Sequence, residues 1–145
     1  MNKDDILVVF YGFSSAITGF SVFDLQGTGV GETYWETLKK HVKPNHLKEL
    51  TAVWSGIHKE SGENAALRNR LLRQRMFSNL TLGPLVRSLI KMWYSGSWYN
   101  PETGEASVIC SQTYVEGLLW PAIGVNPKGA KQPGFGTWNQ PPVTP

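Results

Sequence analysis

Apolar residues recur at helical spacing through most of the chain, and glycine or proline cuts the pattern into short lengths. Ile6, Val9, Phe10, Phe13 and Ile17 follow Asp4 and Asp5, which stand where an N-cap and a first-turn acid belong, and Gly19 supplies a stop. The spacing predicts a helix over residues 4–18. Residues 21–31 carry three glycines and read as a loop. A second helix over 32–42 rests on Tyr34, Trp35, Leu38 and Val42 and is closed by Pro44. Asn45 is expected to cap a third, whose stripe is Leu47, Leu50, Val53, Trp54 and Ile57 and whose end is Ser61-Gly62. Residues 63–77 make a fourth helical stretch, with Leu67, Leu71 and Met76 inward. Thr81 is expected to cap the strongest helix: Leu82, Leu85, Val86, Leu89, Ile90 and Trp93 fall on one stripe, and Tyr94-Ser95-Gly96 ends it. Pro84 lies in its first turn, where proline is tolerated.

Residues 100–104 read as a turn, residues 106–110 as a short extended run, and residues 111–120 as a last short helix. The composition then changes. The segment 121–145 holds six prolines and four glycines, so neither a regular helix nor a central strand is expected there. It also carries Phe135 and Trp138. The expected fold is all-α: one helical domain over residues 1–120, of about five to six helices by this pattern, and an extended arm over 121–145 that docks on a partner or on its own core.

Composition limits what such a domain can do. The length of 145 residues suits one domain with a core of its own. Charged residues are only 17%, whereas Trp, Phe and Tyr number six, six and five. Some of these aromatics are expected at the surface, where Trp and Tyr are favoured at interfaces. A net charge of +3 is far from the dense basic stripe of a nucleic-acid binder. The single cysteine, Cys110, excludes a disulfide within the chain. The longest apolar run, Ile6 to Tyr11, is too short for a bilayer, which needs about 20 residues. The opening residues Met-Asn-Lys-Asp-Asp do not read as a signal peptide. The expected location is the periplasm, within a complex, if a leader was removed, and otherwise the cytoplasm.

Signals for chemistry are weak. His41 and His46 are separated by a proline break and His58 lies further along, so surface or capping histidines are expected rather than metal ligands. Cys110 sits in the apolar run Val108-Ile109-Cys110 and is read as a buried, inert thiol, with an inter-subunit contact second; a small enzyme using it with a histidine is a third hypothesis. The glycines of residues 27–31 match neither a dinucleotide fingerprint nor a phosphate-binding loop. Arg68, Arg70, Arg73 and Arg75 form the most basic stretch; on a helix Arg68 and Arg75 share a face, as do Arg70 and Arg73. A solvated face is the bland explanation. A stand-alone regulatory or nucleic-acid-binding module using this face is the main alternative function.

Three segments, in order, resemble a known family. The first is Phe10-Tyr11-Gly12-Phe13-Ser14-Ser15-Ala16-Ile17-Thr18-Gly19. The second is Leu89-Ile90-Lys91-Met92-Trp93-Tyr94-Ser95-Gly96. The third is Pro133-Gly134-Phe135-Gly136-Thr137-Trp138-Asn139-Gln140-Pro141-Pro142. Together they resemble the small subunit of bacterial FAD-dependent sugar and polyol dehydrogenases, the sorbitol, fructose and glucose dehydrogenase complexes. The resemblance implies a subunit that is no enzyme by itself and holds no cofactor. Its partner would be a large GMC-type flavoprotein carrying FAD, often joined by a cytochrome c subunit. The small subunit would bind and stabilise that partner, help it mature and, with a twin-arginine leader, accompany it across the membrane. Two departures stand out. Residues 126–132 lack the cysteine that many members carry before the arm, and Tyr114-Val115-Glu116-Gly117-Leu118 stands where members often have Tyr-Glu-x-Ala-Leu. Without a leader in view, assembly ranks above export. The residues expected to meet the partner are Tyr94, Trp98, Tyr99, Trp120, Pro133, Phe135 and Trp138. No catalytic, cofactor-binding or metal-binding residue is expected in this chain, and no nucleic acid or membrane span.

Overall fold

A computed structural model of the chain describes residues 2–124. They form a small, mostly helical domain with one short hairpin. The first helix, α1 (Lys3–Thr18), starts one residue earlier than its pattern suggests, because Asn2 and not Asp4 is its cap. The Asn2 side chain accepts from Asp5 N–H at 2.9 Å and the Asp5 carboxylate answers to the Asn2 backbone, which satisfies two otherwise orphaned donors. Gly19 ends α1 in the left-handed conformation.

The segment read as a loop contains a helix, α2 (Val22–Gly27). Ser21 caps it by accepting from Asp24 N–H, and Leu25 is fully buried beneath it. One anchoring side chain and one cap suffice for this short helix, and neither creates a periodic stripe. The next helix, α3 (Gly31–His41), has Glu32 in its first turn and Lys39, Lys40 and His41 in its last, which suits the helix dipole. In α4 (Pro44–Ser61) the sequence expectation is corrected. Pro44 opens the helix at N1 and Lys43 is the N-cap, so Asn45 lies inside the helix and caps nothing.

Asn64 caps α5 (Ala65–Leu72) through Leu67 N–H, and the chain then widens into a π-helical turn, Arg73–Phe77. The strongest helix, α6 (Leu82–Ser95), forms as its stripe predicts. Thr81, however, makes no side-chain cap; Asn79 Oδ1 accepts from both Thr81 N–H and Leu82 N–H, at 2.8 and 2.9 Å.

After Gly96, β1 (Ser97–Tyr99) pairs antiparallel with β2 (Ala106–Val108), with Trp98 opposite Ser107. Asn100 Oδ1 holds the turn by accepting from Glu102 and Thr103 N–H. The expected last helix is two, α7 (Ser111–Val115) and α8 (Leu119–Ala122), split at Gly117. Pro121 and Ala122 therefore still belong to the helical domain, while the arm from residue 125 onward lies outside the described residues.

The core is built around α6. Leu82, Val86, Leu89, Met92 and Trp93 are completely buried. Trp93 takes Tyr34 edge-on at 4.7 Å and stacks with Phe10 at 6.1 Å, so one indole ties α1, α3 and α6 together. About one turn further along α1, Phe13 meets Trp54 of α4 at 5.3 Å.

Candidate partner-binding surface

The end of α6 is a junction. The Trp93 carbonyl accepts from Leu118 N–H at 2.9 Å. The Tyr94 hydroxyl donates to the Thr18 carbonyl at 3.0 Å and its ring meets Phe20 edge-on. Gly96 has φ of 79°, and a Cβ there would strike the Thr113 backbone. Thr113 is itself fully buried, with Oγ1 2.9 Å from the Gly96 carbonyl. The ends of the first two motif segments, Thr18-Gly19 and Trp93-Tyr94-x-Gly96, thus touch each other across 76 positions of sequence.

The aromatic residues expected at an interface are used in different ways. Trp98 is 3% exposed and stacks on His41 at 5.3 Å, which makes it core. Tyr94 is half-buried in the junction. Tyr99 is half-buried with the Lys91 ammonium over its ring, and Trp120 donates its indole N–H to the Tyr114 carbonyl at 3.0 Å. Pro133, Phe135 and Trp138 lie outside the described residues.

A surface that sequence reasoning did not single out is an open apolar groove of about 800 Å³ lined by residues of α1, α3 and α4. Phe10, Phe13, Leu38 and Trp54 form its floor, and the half-buried Ile6, Val9, Trp35 and Leu47 its walls. Its signal in the sequence was the unbroken apolar run 6–10, wider than one core-facing stripe requires. Lys39 and Lys48 stand on the lining. They belong to a corner, residues 37–48, with four lysines, His41 and His46 and no acidic residue. Glu36 at its edge pairs with Lys39 at 2.9 Å.

Other apolar side chains also face water: Phe23 is 83% exposed and Leu80 95%. The arginine stretch is less uniform than straight helical spacing predicts. The π-helical turn begins at Arg73, Arg75 pairs with Glu60 at 2.6 Å, and Arg68 is half-buried. Cys110 is half-buried at the start of α7, its Sγ 3.8 Å from Thr113 Oγ1. Among the described residues no three His, Cys, Asp or Glu side chains gather as a metal site, and no helix is long and apolar enough to cross a membrane.

Burial raises the Tyr34 hydroxyl well above its ordinary pKa, and it raises Tyr11 against an opposing hydrogen bond from Gly31 N–H. Lys3 is raised by its hydrogen bond and ion pair to Glu32, which joins the first turns of α1 and α3. Comparison with family models, curated proteins and solved structures found no match to the chain.

Proposed function

We propose that this chain is a non-catalytic accessory subunit that binds a larger FAD-dependent sugar or polyol dehydrogenase, stabilises it and helps it mature. The open apolar groove between α1, α3 and α4 carries the reading. Water against the half-buried Ile6, Val9, Trp35 and Leu47 is unfavourable, and covering a continuous apolar surface of this kind is the driving force of stable association. The identity of the partner rests on the three ordered motif segments. The first two of these meet in the fold through the hydrogen bond from Tyr94 to Thr18.

In this reading the flavin belongs to the large GMC-type subunit, electrons leave through a cytochrome c subunit where one is present, and this chain contributes shape alone. The complex works in the periplasm when a leader carries it there. The test is co-expression of the tagged chain with the flavoprotein encoded beside it. Flavin absorbance should co-elute with the tag in a fixed ratio, and the flavoprotein made alone should give less soluble, FAD-loaded protein. Elution of this chain with no flavin, under conditions where the flavoprotein is made and soluble, overturns the proposal.

A further inference from the structure

We infer that the groove between α1, α3 and α4 takes an amphipathic α-helix of the partner, its apolar face seated on Ile6, Val9, Trp35 and Leu47 and acidic residues set against the basic α3–α4 corner. The inference rests on the accessory-subunit reading and adds where and how the partner is held.

The groove selects a helix by its backbone. Its walls are three α-helices whose own N–H and C=O groups are bonded internally, so it offers no ladder for an extended strand. An extended peptide laid on this floor would bury its backbone polar groups unpaired, whereas a helix satisfies its own. The volume of about 800 Å³ lies within the usual range for a bound group and accommodates the row of large side chains that a helix presents along one face. The floor is concave, which a flat bilayer cannot follow.

Charge selects which helix. Lys39 and Lys48 line the groove and Lys40 and Lys43 lie in the same corner, and among the described residues Glu36 is the acid paired with them, through Lys39. A second copy in an isologous dimer would set this basic corner near itself. The segment 125–145 adds Lys128 and Lys131 and contains no acidic residue, so it too matches the corner poorly. A partner helix with Asp or Glu beside its apolar face complements both the floor and the rim.

The experiment uses the co-expressed complex. A photo-crosslinking phenylalanine replaces the exposed, groove-lining Ala52, and the crosslinked product is mapped by mass spectrometry. In parallel, flavoprotein retention is measured for Leu47→Glu, for the double variant Lys39→Glu with Lys48→Glu, and for Phe23→Ser on exposed α2 as a control, each checked for native circular dichroism and unfolding temperature. The expected crosslink falls in a helical segment of the flavoprotein with acidic residues flanking an apolar face. Leu47→Glu and the double variant should each weaken retention by about tenfold or more, the double variant less so at high salt, and Phe23→Ser should not. A crosslink to residues 125–145, to a second copy or to co-purified lipid overturns the inference, as do folded groove variants that retain the flavoprotein like wild type. In those cases the accessory-subunit reading loses the groove as its support and rests on the motif segments and on flavin co-elution with the wild-type chain. A wild-type chain that retains no flavoprotein overturns that reading, and the inference with it.

Discussion

Tyr94 shows how a single side chain can look like an interface residue and serve the fold. Its hydroxyl donates to the Thr18 carbonyl and its ring packs on Phe20, so it holds the end of α1 against the end of α6. Tyr94→Phe keeps the ring and removes the bond, and should cost about 1 kcal/mol in urea unfolding. Gly96, two residues on, is limited both by its positive φ and by the Thr113 backbone. Gly96→Ala should therefore cost more, about 2 kcal/mol or above, because strain and collision add. Tyr34 sets an alkaline limit. Its folded pKa lies above the ordinary 10.0, so the folded state keeps a proton that the unfolded chain releases. Stability from this group is complete below about pH 10 and falls as the pH rises above it, by up to about 1.4 kcal/mol per pH unit. Tyr34→Phe should flatten that decline in a series of urea midpoints; an unchanged slope would assign it to Tyr11 and other groups instead.

Helices whose core stripe is wide are legible in the sequence; their caps and the short helices are less so. The stripe of α6 was visible because six large apolar residues repeat on one face, and its stop because Gly96 follows. Its cap was misplaced because two neighbouring polar residues are both competent, and only the backbone path decides that Asn79 points at the free N–H groups. Asn79→Ala should cost about 1 kcal/mol and Thr81→Ala less than about 0.5 kcal/mol. Equal losses by thermal or chemical denaturation would contradict this assignment. The α2 segment was read as a loop because its glycines dominate the composition, while its stability comes from Leu25 inserted into a core contributed by distant elements. The π-helical turn at Arg73–Phe77 is likewise invisible to an α-helical period, and it changes which arginines share a face.

The described residues leave apolar surface that they do not cover themselves: the groove walls, Phe23 and Leu80. The isolated chain should bind a hydrophobic dye at neutral pH while still unfolding cooperatively, which separates an exposed native surface from a molten state. Leu47→Glu should reduce dye binding and self-association without lowering the unfolding temperature by more than a few degrees. Dye binding unchanged by that variant would move the exposed surface away from the groove.

The mostly helical class and the stop signals were determined by the sequence itself, because periodicity and residue type are local properties. Which aromatics are core and which are free was decided by the tertiary structure. Trp98 and Trp120 were both expected at an interface, yet Trp98 is enclosed and Trp120 is half-buried; Trp93 and Trp35 both lay on helical stripes, yet only Trp93 of the two is enclosed. The groove belongs wholly to that second kind of information. No single helix contains it; its lining is assembled from α1, α3 and α4, and Phe13 of α1 packs on Trp54 of α4 within it.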